Sequence, residues 1–146
     1  MYRAVIIYAP AEDQMQQLVH RLEECFDRDS YEVEVKAADQ STIPDLTAAD
    51  LFLLGSLPDG EKTIHPDFSE ILRALGGITL AGRVGGVFSV DSEPTVQAFR
   101  QALKDCELVL SDQSFLNLRA HQPDPTVLRG WVAALTRQLE DQARGR

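Results

Sequence analysis

Six acidic side chains lie in three short segments, each following an apolar run: Glu12 and Asp13, Asp59 and Glu61, Asp91 and Glu93. Carboxylates brought to one place can bind a hard divalent cation through oxygen. Placed at a helix start, they accept hydrogen bonds from unpaired backbone N–H groups and suit the helix dipole, by roughly 0.3–1 kcal/mol each. Glu12, Asp13 and Glu93 precede stretches of helical period, as do Asp67 and Asp124, so these residue types read first as caps. Ser56 and Ser89 close two apolar runs and are candidate site hydroxyls. Neither sits in a G-x-S-x-G elbow, and no histidine is spaced to activate one. His20, His65 and His121 are scattered; His65, just before Pro66 and Asp67, reads as a loop or capping residue. Cys25 and Cys106 belong to no CxxC and no Cys/His cluster, which argues against structural zinc. Both read as small apolar side chains on buried helix faces. The phosphate motifs GxGxxG and GxxxxGK[ST] are absent. No catalytic residue and no metal-ligand set is assigned.

The elements that must position these groups alternate from end to end. Residues 3–9 form a β-branched apolar run, and residues 13–26 switch to helical period with Met15, Leu18, Val19, Leu22 and Phe26 on one face. Residues 31–37 alternate, as expected of a strand with one wet face near a sheet edge. A short helix is expected over Ile43 to Ala49, opened by Ser41 or Thr42. Residues 50–56 and 83–90 read as buried strands, each followed by a helix, and 107–111 as a fifth strand with a continuation at Phe115 to Leu118. A last helix starts at Asp124 and Pro125, and Trp131 lies on its apolar stripe, where packing is its expected role.

Strands buried on both faces and joined by helices predict a parallel sheet with right-handed crossovers. Five such units in this length predict a three-layer, doubly wound α/β fold with a five-stranded parallel sheet of order 2-1-3-4-5. Ligands on such sheets bind beyond the carboxyl ends of the strands, at the switch point between strands 1 and 3. The loops that matter are therefore 10–14, 57–66 and 91–94.

The 146 residues are expected to form one domain over 1–146, with 143–146 as a frayed tail. A formal charge of −9 argues against nucleic acid and anionic membranes, and fits docking on a protein partner with a basic surface. No apolar stretch has the length of a membrane span, and the N-terminus lacks the pattern of a signal peptide, so a cytoplasmic location is expected.

With its order and spacing of segments, the chain resembles the flavodoxin family over nearly its whole length. The resemblance rests on AVIIYAP, on AADLFLLGSLPDG and on LAGRVGGVFSV. It implies a flavodoxin-like fold with a flavin mononucleotide (FMN) site at the three loops named above. Family members hold the FMN phosphate with a [ST]-x-[ST]-G-x-[ST] loop. The matching positions here are Pro10, Ala11, Glu12, Asp13, Gln14 and Met15. Pro10, Glu12 and Met15 replace the hydroxyls and Asp13 the glycine. The resemblance places the remaining cofactor positions at Ser56, Leu57, Pro58, Asp59 and Gly60 in the second loop, and at Ser89, Val90, Asp91 and Ser92 in the third. Neither loop offers the aromatic side chains that usually sandwich the flavin, and Phe88 is expected to point into the core. Receiver domains of response regulators share the topology, but need an aspartate where this chain has Gly55-Ser56 and a lysine where it has Ser111-Asp112.

Two acids against a phosphate would be costly: unit charges 4 Å apart interact by about 4 kcal/mol at an effective dielectric of 20. The sequence thus leads to an expectation of no cofactor. It predicts a flavodoxin-like interaction, regulatory or alternative-ligand module rather than an enzyme, with Asp13 occupying the helix terminus that phosphate would fill. The alternative is an FMN-binding one-electron carrier with an atypical phosphate loop.

Overall fold

The structure is a computed structural model that describes residues 1–145. Its strands are β1 (Tyr2–Ala9), β2 (Tyr31–Ala37), β3 (Leu51–Ser56), β4 (Val84–Val90) and β5 (Phe115–Leu118). Its helices are α1 (Asp13–Glu24), α2 (Ile43–Thr47), α3 (Ser69–Leu75), α4 (Glu93–Leu103) and α5 (Pro125–Arg144). The strands form one parallel sheet in the order β2-β1-β3-β4-β5, as the alternating pattern predicts. Every residue of β3 and β4 is buried, whereas β2, at one edge, leaves Glu32 and Glu34 to water. The helices lie on both faces of the sheet.

Each face has its own core. On one, Met15, Leu18 and Leu22 of α1 and Trp131, Val132 and Leu135 of α5 pack on Ile6, Leu53 and Phe88. On the other, Phe68, Ile71 and Phe99 pack on Ile7, Phe52 and Val87. Phe88 does point inward, with its ring edge-on to Trp131 at 5.9 Å. Trp131 has the packing role expected of it, and its indole Nε1 donates to the Gln113 carbonyl at 2.8 Å. Neighbouring Gly55 lies under the Phe88 ring, where a Cβ would stand 2.0 Å from Phe88 Cζ.

The edge strand departs from expectation. Residues 107–111 touch β4 through one isolated bridge, Val109 to Val84, and the paired strand is Phe115–Leu118. Between the two contacts β4 advances from Val84 to Val87 while the edge chain advances from Val109 to Phe115. The surplus residues form a 3₁₀ turn, Asp112–Ser114, held by a reciprocal cap in which Ser111 Oγ accepts from Gln113 N and Ser114 Oγ accepts from Ser111 N. Local polar capping thus overrides the strand propensity of ELVLS.

Neither cysteine lies within a helix. Cys25 is the half-buried C-cap of α1, and Cys106 is buried in the turn after α4. Their thiols donate to the carbonyls of Arg21 and Leu75. α5 runs to Arg144 and is capped by Gly145; Arg146, the last residue of the expected tail, lies outside the described residues. Among the described residues no helix is long and apolar enough to cross a membrane.

Candidate functional site

Because all five strands are parallel, β1, β3, β4 and β5 deliver their carboxyl ends to one rim. The first loop leaves β1 through a cis Ala9–Pro10 peptide. Glu12 N donates to the Pro10 carbonyl at 3.0 Å, and α1 begins at Asp13. Glu12 is the N-cap, in extended conformation, and its side chain makes no capping bond. Asp13 is the first helical residue, so it does not cap the terminus as expected. The physical reason is its position: a capping carboxylate must stand just outside the helix to reach the N2 or N3 amide. Among the described residues the backbone N–H groups of Asp13, Gln14 and Met15 have no partner. The Met15 side chain is fully buried under the loop, while Ala11, Glu12, Asp13 and Gln14 are exposed.

The second loop starts at Ser56 and folds back as a short hairpin. Asp59 and Lys62 exchange backbone hydrogen bonds of 2.9 Å around Gly60, whose φ of +59° suits a residue without Cβ. Leu57 is half-buried, and Pro58, Asp59 and Gly60 are exposed. His65 holds the loop's far end: its N–H donates to Ser56 Oγ at 2.9 Å, and its Nδ1 accepts from Asp67 N at 3.2 Å. This is the capping role expected for it.

The third loop leaves β4 at Ser89 and Val90, both buried. Asp91 turns the chain with φ at +49°, a left-handed conformation that Asp tolerates better than most side chains. Its N–H donates to the Leu118 carbonyl at 2.6 Å, and Ser92 N donates to Asn117 Oδ1 at 2.9 Å. The end of β5 is thereby tied to this loop.

None of the sequence-nominated hydroxyls is idle. Ser89 Oγ donates to the Ser56 carbonyl, Ser56 Oγ to the Leu57 carbonyl, and Ser92 Oγ is paired with Thr95 Oγ1. These serines fix the loops and are not nucleophiles in waiting. The six loop acids do not converge either: among the described residues no group of three or more His, Cys, Asp or Glu is placed to hold a metal ion.

A cleft of about 450 Å³ opens beside this rim, lined by Gln14, Gln17, Val90, Asp91, Arg119 and His121 among others. Sequence reasoning nominated Gln14, Val90 and Asp91 but missed Gln17, Arg119 and His121. Arg119 and His121 follow β5, which sequence reasoning placed at 107–111 with a continuation at Phe115 to Leu118, without counting the loop after that continuation among those at the rim. The signal that would have found them is that same continuation, FLNL, directly before Arg119.

The donor set at α1 fits an anionic head group. Three unpartnered N–H groups converge at a positive helix end, which is the arrangement that holds phosphate oxygens. The ring side is plainer: Leu57 is its half-buried apolar contact, and loops 57–62 and 91–92 present no aromatic side chain.

No protein-family model and no curated protein sequence matches this chain. Solved structures do resemble it. Oxidised flavodoxin 2 from Bacillus cereus aligns over 93% of this chain and 99% of its own, at 18% identity and a TM-score of 0.80. Fusobacterium nucleatum flavodoxin bound to flavin mononucleotide aligns over 94% and 99%, at 13% identity and a TM-score of 0.74. Rubredoxin oxygen:oxidoreductase from Desulfovibrio gigas aligns over 97% of this chain but 37% of its own, at 16% identity and a TM-score of 0.80. A flavodoxin of this architecture that carries flavin mononucleotide corrects the expectation of no cofactor. That expectation rested on lost hydroxyls, two acids and missing aromatics, and it weighed these above the backbone donors of α1, which are independent of side-chain identity. At these identities the likeness establishes architecture: the chain has the flavodoxin-like fold.

Proposed function

We propose that this protein is an FMN-binding one-electron carrier of flavodoxin type with an atypical phosphate loop. The observation that carries this reading is the α1 terminus, where the N–H groups of Asp13, Gln14 and Met15 are unpartnered at the rim used for ligands by doubly wound sheets. Bound FMN would supply the one-electron chemistry. The chain's own part is to bind and orient. The α1 amides would hold phosphate oxygens, and the loops carrying Leu57, Pro58, Asp59 and Gly60 and Val90, Asp91 and Ser92 would flank the ring. The carboxylates of Asp59 and Asp91 would oppose negative charge there. The chain's net charge of −9 favours a protein partner with a basic surface, approached by electrostatic steering.

The test is titration of the purified chain with FMN, read by flavin fluorescence and visible absorbance. The expected dissociation constant is about 1 μM or tighter, equivalent to about −8 kcal/mol. A preparation that stays colourless after addition of FMN and gel filtration overturns the reading and returns the fold to a different ligand.

A further inference from the structure

We propose that two copies of this chain associate edge to edge through β2, antiparallel and in a register centred on Val35, so that Glu34 of each copy meets Lys36 of the other. The inference is independent of what the rim binds. β2 closes one side of the sheet with a seven-residue edge, and β5 closes the other with four residues. Which groups of β2 face outward follows from its ladder with β1. Tyr2 N donates to the Ser30 carbonyl at 2.9 Å, while Tyr2 stands level with Tyr31. In a parallel pair the slanted bonds run to the residues on either side of the level partner. Glu32, Glu34 and Lys36 therefore turn their backbone groups to β1, and Tyr31, Val33, Val35 and Ala37 turn theirs away. Two bonds fit this alternation: Tyr31 N donates off the sheet to the Asp27 carbonyl, and the Ala37 carbonyl accepts from Ser41 Oγ, both at 2.8 Å. Among the described residues the N–H groups of Val33, Val35 and Ala37 and the carbonyls of Val33 and Val35 have no partner.

An edge of this kind is a template for another strand. Proline and bulges, which commonly block one, are absent: the register with β1 runs unbroken from Tyr31 to Ala37. Charge is the remaining guard, in Glu32, Glu34 and Lys36, and it is selective rather than general. The Lys36 ammonium already meets Asp45 at 2.8 Å and Glu34 at 3.4 Å within its own chain. What matters is which charge a second strand sets opposite each of these.

A second copy fits those charges in one register. Two-fold pairing runs identical edges antiparallel, since identical parallel edges would set donor level with donor. Opposed residues share a face, so the register centres on a single residue. Centring on Val33 sets Glu32 against Glu34 on both sides of the axis, and centring on Glu34 or Lys36 sets that charge against itself. Centring on Val35 sets Glu34 against Lys36 on the α2 side of the sheet, and like charges nowhere opposite. Opposite charges facing across strands favour pairing, and like charges oppose it. Val35 is also an outward residue, so the central pair exchanges both of its hydrogen bonds. On the α1 side Val35 meets Val35 and Val33 meets Ala37, and all three are half-buried in the single copy. A seven-residue edge buries less than the roughly 1,200 Å² of a stable complex, and each copy carries a net charge of −9. The dimer is therefore weak, and moderate salt strengthens it by screening the long-range repulsion.

The experiment is sedimentation equilibrium of the full chain from about 10 μM to about 1 mM, in roughly 0.15 M salt. The mass should rise with concentration from the 16.2 kDa of one chain toward twice that value. Glu34 is exposed, so Glu34→Lys should fold; it sets Lys against Lys36 and should weaken association roughly five- to tenfold. Cross-linking reads the register, in a Cys25→Ser background that leaves only the buried Cys106. Val35→Cys should form an intermolecular disulfide on oxidation, because opposed residues stand about 5.5 Å apart at Cα, within the disulfide range. Val33→Cys should not, because about 13 Å separates its two copies in this register. A dimer indifferent to Glu34→Lys, or one that cross-links at Val33→Cys as readily as at Val35→Cys, uses another surface or register and overturns the proposal. A chain that stays monomeric across the whole range, with Val35→Cys uncross-linked, also overturns it and leaves the edge to a strand from another protein.

Discussion

The buried Thr95 hydroxyl donates to the Thr63 carbonyl across 2.5 Å, joining α4 to the loop that leaves β3. A threonine hydroxyl has one proton, and here Thr63 receives it. The 2.8 Å contact between Ser92 Oγ and Thr95 Oγ1 must therefore have Ser92 as donor. Ser92, the N-cap of α4, makes no side-chain capping bond; its hydroxyl is turned to Thr95 instead. A relay from Ser92 through Thr95 to Thr63 thus sets the spacing of the two loops expected to flank a ligand ring. Thr95→Val keeps the shape but strands both the Thr63 carbonyl and the Ser92 hydroxyl. Stability should fall by about 1–3 kcal/mol, read from the urea midpoint. Amides of residues 57–64 should exchange faster, while Thr95→Ser should preserve their protection.

Gly55 is required by its neighbour. A Cβ there would overlap the Phe88 ring tip, and Trp131 packs edge-on against that ring, limiting its retreat. Gly55→Ala should cost roughly 1–3 kcal/mol by overpacking. The same substitution in a Phe88→Leu background should cost much less, and equal losses in both backgrounds in chemical denaturation would refute the steric account.

Asp45 links α2 to β2. It accepts from Lys36 Nζ at 2.8 Å and from Thr42 N at 2.8 Å in a capping box. Partial burial pushes its carboxyl up, but the Lys36 and Thr42 hydrogen bonds outweigh this and hold it below the ordinary value. A carboxyl lowered on folding stabilises the native state above its unfolded value, and that contribution is lost as pH falls through the folded value. Stability should therefore drop between about pH 5 and pH 2 more steeply in the native chain than in Asp45→Asn. Urea midpoints across that range give the comparison, and parallel curves would rule out the linkage.

Glu12 and Asp13 are exposed, and among the described residues neither forms an ion pair or a cap. Their effect on an anionic ligand is therefore a long-range repulsion that salt screens. Glu12→Gln combined with Asp13→Asn should tighten FMN binding by roughly three- to tenfold at low ionic strength. The gain should shrink in high salt, and a gain independent of salt would point to local rearrangement instead.

The sequence by itself determined the layered architecture. Continuous apolar runs at β3 and β4, alternation at β2 and the helical stripe of Met15, Leu18, Val19 and Leu22 each state a period and a face, and periods are local properties. Strand order followed from topology rules, and Phe88 and Trp131 were placed in the core by the same patterning. The three rim loops were legible because parallel strands must all end on one side.

Tertiary structure alone decided what stands at that rim. ELVLS and FLNL are both acceptable strands, and a serine-capped turn between them decides which one pairs with β4. That choice carries Arg119 and His121 to the cleft beside α1. The idle amides of Asp13, Gln14 and Met15 were equally hidden, because only the structure shows that neither the N-cap Glu12 nor Asp13 turns its side chain back to cap them. Pairing register and the exact start of a helix depend on which distant groups satisfy each backbone donor, and residue type does not encode that accounting.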